Sequence, residues 1–277
     1  MSKTGNGKKK KKSATSRQKR NVTEVIIESE NKGAKKIIQT ADIIKQVNKL
    51  DWGDLSEFGS ILPLGTDMLK DKPVYRFFKR FFDIVLSVFA LVVLFPGMLL
   101  VSLVIFLDDP HGSPIFIQKR EGINRKPFKL LKFRSMVVNA EEILEELKRQ
   151  GKCIKDPKDP TYKLKDDPRI TRVGRFIRKT SIDELPQLVN IILGQMSIVG
   201  PRPPLPKEVN QYNDFALQRL LMRPGLTCIW QSTYNRDDVP FTEWMKMDVR
   251  YIHKCGFLLD CKLILKTFAI VFSANGN

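Results

Sequence analysis

The sequence predicts an α-rich α+β fold attached to one face of a membrane. Two observations carry that expectation. Ile84 to Leu107 is a run of 24 residues without a charge, with Pro96 near its centre. Both flanks of the run are basic: Arg76, Lys79 and Arg80 precede it, and Lys119, Arg120, Arg125, Lys126, Lys129, Lys132 and Arg134 outnumber Asp108, Asp109 and Glu121 after it. The expected organisation is a basic, largely disordered extension over 1–72, a re-entrant membrane helix hairpin over 73–110, and a compact cytoplasmic domain over 111–277 with interfacial amphipathic helices.

About 20 apolar residues suffice to cross the roughly 30 Å hydrocarbon core, so a single span is the default for such a run. Pro96 argues against it. Proline removes a backbone donor and clashes with the carbonyl four residues before, and Gly97 loosens the chain further. A sharp bend there leaves two arms of about 17 Å, each one leaflet deep. The positive-inside rule disfavours placing either basic flank outside, and a hairpin that dips into the inner leaflet keeps both inside. A kinked single-pass anchor and a buried core helix are the alternatives.

The chain has 277 residues, a net charge of +18, four cysteines and two histidines. Cys153, Cys228, Cys255 and Cys261 form no C-x-x-C pair, which excludes a convincing zinc set and implies a reducing compartment. Nine Lys or Arg and no acid fall in the first 23 residues. Such an arm binds anionic lipid or nucleic acid, or only solubilises. No signal peptide is expected. Ile37, Ile38, Ala41, Ile44 and Val47 have helical spacing, which suits a short helix over 35–50. Tyr75 to Asp83 mixes bases with Phe77, Phe78, Phe81 and Phe82, a composition suited to the headgroup level.

Beyond the apolar run, Pro114 to Gln118 and Phe128 to Met136 read as strands joined by a turn at Gly122 to Lys126. Asn139 to Arg149 reads as a helix with acids early and bases late, as its dipole favours. Residues 151–168 read as a loop. Val189 to Leu193 and Phe257 to Phe272 read as interfacial helices or as core.

The informative stretch is Asp167 to Pro204. Arg169, Arg172, Arg175 and Arg178 recur every third residue, which can crowd guanidinium groups around an anion or simply dress a surface helix. Ser181-Ile182-Asp183-Glu184 then offers two readings. Ser-x-x-Glu is a capping-box pattern. Alternatively, a helix beginning at Asp183 puts Pro186 in its first turn, where proline is tolerated, and leaves Asp183 and Glu184 exposed at the terminus to handle a phosphate with a divalent cation.

Lys132-Phe133-Arg134-Ser135-Met136, Asp167-Pro168-Arg169-Ile170-Thr171-Arg172-Val173-Gly174, Thr180-Ser181-Ile182-Asp183-Glu184-Leu185-Pro186-Gln187 and Val199-Gly200-Pro201-Arg202-Pro203 resemble, in order, the motifs of the bacterial sugar transferases, the monotopic phosphoglycosyl transferases. Met196 to Val199, Arg223 to Thr227 and Trp230-Gln231 extend the resemblance, which runs from about residue 75 to the end. It implies transfer of a sugar phosphate from a nucleoside diphosphate sugar, usually a UDP-sugar, to a polyprenyl phosphate such as undecaprenyl phosphate, with release of UMP. Carried onto this chain, Asp183 is the implied nucleophile, and Glu184 helps to place Mg²⁺, with both carboxylates as metal ligands. Lys132, Arg134, Arg169, Arg178 and Arg202 are candidates for binding phosphoryl oxygens, with Arg236 near the nucleotide. Pro96 is the implied membrane bend at the inner leaflet of the cytoplasmic membrane. In relatives a serine commonly precedes that proline. Phe95 stands there in this chain, leaving Ser87 and Ser102 as candidate polar partners. A homo-oligomer is compatible with the resemblance, and no nucleic acid is expected. The chain resembles the minimal form of the family, without the additional transmembrane helices of larger members. A membrane-tethered protein binding nucleic acid or anionic lipid, and a phosphodiester hydrolase using the same acids, are the rival readings.

Overall fold

In a computed structural model, the described residues are 54–150, 167–233 and 239–272. The basic arm, the helix expected over 35–50, most of the 151–168 loop and Arg236 lie outside them.

Helix α1, Pro73–Asp108, starts on a proline whose missing N–H no helix needs at that position. Its most apolar 18 residues have a mean hydropathy of 2.8, and only 6% of them are buried. The buried contacts fall on one stripe. Asp83, Ser87 and Ile105 are buried. Ala90 and Leu91 pack on Phe128, Leu188 and Ile191. Met98 and Val101, together with Ile105, pack on Phe133 and Ile177. Steps of three and four residues align these positions along one helix face. The other faces expose Phe77, Phe89, Val92, Leu100 and Leu107. Pro96 lies inside this helix, so the two arms expected from the sequence are joined without a break. Ser102 Oγ donates to the Met98 carbonyl at 2.9 Å, while Ser87 Oγ is buried without a partner among the described residues. Neither serves the Val92 carbonyl that Pro96 leaves without its donor.

The bases before the apolar run make contacts the sequence did not suggest. Arg80 donates to the carbonyls of Ile191 and Ile192 at 2.7 and 2.9 Å. Lys79 Nζ donates to the Val199 carbonyl at 2.9 Å and to Asp260 Oδ2 at 2.8 Å. Asp83 Oδ1 accepts from the Ile198 N–H at 2.9 Å. In a segment whose composition suits the headgroup level, Lys79 and Arg80 bind α1 to the rest of the fold.

After α1, strands β1 (Ile115–Glu121) and β2 (Pro127–Phe133) form an antiparallel hairpin, with Ile115 opposite Phe133 and Glu121 opposite Pro127. Its turn sets Asn124 and Arg125 at positive φ, 51° and 61°. Alternation buries Phe128 and Leu130 on one side. Helix α2, Ala140–Arg149, follows as expected. Helix α3, Arg172–Lys179, begins where Thr171 Oγ1 accepts from the Gly174 N–H at 2.9 Å. Gly174 lies so close to the Ser135 backbone that any Cβ there would collide with it.

Helix α4, Gln187–Ile192, leads into β3, Ser197–Val199, which pairs in parallel with β4, Gly225–Thr227. Between these strands run the short helices α5 (Pro206–Val209) and α6 (Asp214–Leu217). Gly200 and Gly225 touch backbone to backbone, leaving no room for a Cβ on either. Helix α7, Phe241–Lys254, closes a core of Phe215, Leu220, Trp244 and Met245. Helix α8, Phe257–Phe272, buries Asp260, Leu263 and Ile270 but exposes Phe257, Leu258 and Leu265. Of the two readings left open for Val189 to Leu193, the packing of α4 favours core. Leu188, Asn190 and Ile191 are core residues of α4, which packs against α1.

Candidate active site

The site is made by a change of direction. Helix α3 ends at Lys179, and Ser181 takes a left-handed conformation, φ 56°. A 3-10 turn over Ile182–Glu184 follows. Ile182 and Leu185 turn toward Phe133, Ile177 and Ile105, which anchors the turn through apolar packing. Ser181 makes no capping hydrogen bond, so the capping-box reading does not hold. Pro186 directly precedes α4, in a place that needs no N–H. One expectation changes: Asp183 is not at an exposed terminus but buried, at 8% exposure.

Strand β2 supplies the opposing charge. Lys132 Nζ lies 2.8 Å from Glu184 Oε1 and 3.8 Å from Asp183 Oδ2. Gln231 Nε2 donates to Glu184 Oε2 at 3.3 Å. Both Glu184 oxygens are thus engaged. Asp183, by contrast, accepts no side-chain hydrogen bond from any described residue, and Lys132 is its ion-pair partner. Burial raises the Asp183 carboxyl above its ordinary value; Lys132 pulls it down, Glu184 pushes it up, and Arg178 and Arg202 lower it. The pair therefore differs in kind. Glu184 is clamped, whereas Asp183 is a desolvated carboxylate with no side-chain hydrogen-bond donor among the described residues.

The sequence candidates separate on this geometry. Arg202 lines a cavity with Arg120, Lys132, Glu184, Gln187 and Gln231, and its guanidinium lies 5.5 Å from the centre of the Trp230 ring. Arg178 is exposed on α3, near enough to act on the Asp183 charge. Arg134 is committed elsewhere: it binds Asp109 Oδ2 at 3.1 Å and the Asp109 carbonyl, closing the C-terminal end of α1. Arg169 likewise forms a two-bond pair with Asp167, at 2.8 and 2.6 Å. Their contacts hold the fold around the site.

Arg120 and Gln231 were missed as site residues. In sequence Arg120 looks like one base among many in the basic flank, just past the strand expected over Pro114 to Gln118. The alternation that sets Gln118 and Arg120 on one side of β1 was the available signal, but it did not reveal which side meets the cavity. Behind Arg202, the buried Arg219 donates to the Arg202 carbonyl at 2.8 Å and to Asp248 Oδ2 at 2.5 Å, and so fixes the backbone that carries Arg202.

Among the described residues no cluster of three or more His, Cys, Asp or Glu could hold a metal. The Asp183-Glu184 pair still suits Mg²⁺, which commonly takes one or two carboxylates and completes its shell with water and phosphate oxygens. That a lysine ammonium already bridges the two carboxylates marks the place as one where positive charge is stabilised.

Residues 74–274 match the family model described as bacterial sugar transferase. The UDP-galactose-lipid carrier transferase of Erwinia amylovora is 41% identical over 201 residues, covering 73% of this chain and 42% of that protein. The exopolysaccharide production protein ExoY of Sinorhizobium fredii is 41% identical over 207 residues, 74% of this chain and 90% of that protein. The undecaprenyl-phosphate galactose phosphotransferase of Salmonella typhimurium is 40% identical over 201 residues, covering 73% of this chain and 42% of its own length. This chain thus spans less than half of several curated relatives. With the match over 74–274 enclosing α1, the hairpin, the Asp183-Glu184 turn and the Arg202 corner, the chain belongs to the bacterial sugar transferase family.

Proposed function

We propose that this protein transfers a sugar 1-phosphate from a UDP-sugar to undecaprenyl phosphate, giving undecaprenyl diphosphate sugar and UMP, in two steps at Asp183. The observation that carries this reading is the asymmetry of the carboxylates: Glu184 is held at both oxygens while buried Asp183 accepts no side-chain hydrogen bond from a described residue. In the first step an Asp183 oxygen bonds to the sugar-bearing phosphorus. The bond from that phosphorus to the bridging oxygen breaks, and UMP leaves with the electron pair. In the second step a phosphate oxygen of the lipid attacks the same phosphorus, and the carboxylate is released. One carboxylate thereby serves two substrates in turn.

Lys132 and Arg202 place positive charge against the phosphoryl oxygens, where charge builds up in each step. Lys132 also lowers the proton affinity of Asp183, opposing the rise that burial causes. Glu184, oriented by Lys132 and Gln231, is positioned to take up a proton from the lipid phosphate. Mg²⁺ held by Asp183 and Glu184 would supply charge neutralisation of the diphosphate. The relatives' names favour this transfer over a non-enzymatic tether or a hydrolase.

The packed stripe of α1 supports a re-entrant membrane role. Asp83 to Ile105 corresponds to about 33 Å of helix, and the soluble body packs along it on both sides of Pro96. A perpendicular span would carry that basic body into hydrocarbon. Re-entry from the cytoplasmic side keeps the body at headgroup depth, where the lipid phosphate lies, and lets the exposed apolar faces meet one leaflet. Impermeant thiol labelling of Asp71→Cys and His111→Cys tests this. Re-entry predicts that both react only from the cytoplasmic side, and reaction from opposite sides would establish a span.

The enzymatic reading is tested by UMP release from purified protein in detergent with Mg²⁺, undecaprenyl phosphate and a panel of UDP-sugars. Lipid-dependent release with one preferred sugar supports the transfer. Release without lipid at the same steady rate would make the protein a hydrolase.

A further inference from the structure

Four arginines are buried among the described residues: Arg120, Arg134, Arg169 and Arg219. Three hold carboxylates, at Asp109, Asp167 and Asp248. Arg120 has no described carboxylate within ion-pairing distance. Buried charge is costly without a partner, so an arginine kept this way is either tolerated or waiting for an anion. Its surroundings favour the second. Arg120 Nε and Nη2 donate to Gln118 Oε1 at 3.0 and 2.6 Å, and Nη1 donates to the Pro203 carbonyl at 2.8 Å. A guanidinium has five N–H donors. Neutral oxygens take three of them and fix its plane, and two donors remain on a group that lines the same cavity as Arg202, Lys132 and Glu184. Arg202 adds a second guanidinium nearby. Burial, and after it Arg202, push the Arg120 guanidinium down to about 10, against the opposing influence of Glu208, Tyr212 and Glu184, none of which pairs with it directly.

We infer that Arg120 and Arg202 form an anion receptor for the phosphate that leaves with the nucleotide, beside the Lys132–Asp183 position that handles the transferred phosphoryl group. This inference rests on the proposed transfer for the identity of the anion, but not for its existence. Gln118 and the Pro203 carbonyl aim Arg120 before any substrate arrives, which reduces the ordering cost of binding. Pro201 and Pro203 on either side of Arg202, and the Arg219 bond to its carbonyl, do the same for the second guanidinium.

The test uses the full chain in detergent and three probes: UMP, inorganic pyrophosphate and undecaprenyl phosphate. Binding is followed by calorimetry, and turnover is measured separately. Arg120→Gln should weaken UMP and pyrophosphate binding tenfold or more and raise KM for the UDP-sugar by a similar factor, with KM for undecaprenyl phosphate changed less than twofold. Arg120→Lys, which keeps the charge but loses the paired donors, should fall between. Because replacing a buried arginine can unfold the protein, Gln118→Glu supplies an independent arm. It sets a carboxylate where the amide oxygen now meets Arg120, so the melting temperature should hold or rise while UMP and pyrophosphate affinity falls tenfold or more. A purely structural Arg120 predicts unchanged affinity in Gln118→Glu, and that result overturns the inference. Weakening confined to undecaprenyl phosphate also overturns it, by assigning the receptor to the lipid. Arg120-dependent pyrophosphate binding without any turnover would retain the receptor and reject the proposed transfer. Turnover that is indifferent to both variants would do the reverse.

Discussion

Two buried charge clusters lie back to back in this protein, and they are built on opposite principles. Around Arg219 the charges are paired, with Asp248 Oδ2 at 2.5 Å, Tyr212 Oη at 2.7 Å and the Trp244 ring 5.0 Å from the guanidinium, although Arg219 Nε and Asp248 Oδ1 are buried without a hydrogen-bond partner among the described residues. Around Asp183 the matching is incomplete. Lys132 serves two carboxylates, Asp183 accepts no side-chain hydrogen bond from a described residue, and Arg120 faces Arg202. Both clusters contain arginine, carboxylate and aromatic groups, so composition does not separate them. The difference is whether each cation has a carboxylate of its own within the protein. The matched cluster holds the Arg202 backbone in place, and the unmatched one is left to be completed by substrate.

Asp183→Asn should sharpen that contrast most. Turnover should fall by about 10⁴-fold or more, as expected when a covalent nucleophile is lost. Stability should move the other way. The folded pKa of Asp183 lies above its unfolded value, so folding is favoured below the unfolded pKa and loses that contribution as pH rises through the folded pKa. Above the folded pKa the ionised carboxylate is therefore a burden. Asn removes it, raising the melting temperature by roughly 2 to 4 °C for each kcal/mol relieved. Thermal unfolding of both proteins at pH 7 checks the sign.

Lys132→Met should reduce kcat/KM by about 10²- to 10³-fold, the usual scale for one electrostatic contact to a reacting group. It should also move the acid limb of the pH–rate profile upward, because Lys132 is the largest influence lowering the Asp183 pKa. An unmoved limb would mean that Asp183 does not govern it.

In the matched cluster the effect should fall on stability. Asp248→Ala leaves Arg219 buried without its carboxylate and should cost about 3 to 5 kcal/mol in denaturant unfolding. Arg134→Gln gives the smallest effect, about 1 to 3 kcal/mol of stability from a lost charged hydrogen bond, with KM for the UDP-sugar within about twofold. A larger rise in KM would return Arg134 to the substrate site.

The sequence was informative where local pattern determines structure. The uncharged run became α1, and the alternating segments became the β1–β2 hairpin. It was uninformative where a side chain's role depends on a distant partner. Arg134 and Arg120 are both bases flanking the same apolar run, yet one meets Asp109 and the other meets Gln118 and Pro203 across the cavity. Lys79 and Arg80 read only as part of a headgroup-level segment because their acceptors, Asp260 and the end of α4, are more than a hundred residues away. Ser181 could not be distinguished from a helix cap until its positive φ was seen. Pattern located the charges, and only the fold showed which were already neutralised.

The most direct test is to mix the protein with its preferred UDP-sugar and Mg²⁺ in the absence of undecaprenyl phosphate, and to measure UMP and intact protein mass together. Asp183 as nucleophile predicts a burst of up to one UMP per protein and a matching mass gain of one sugar phosphate on Asp183, both absent from Asp183→Asn. No burst and no mass gain, in protein that turns over normally once lipid is added, would contradict a covalent step and make the transfer direct.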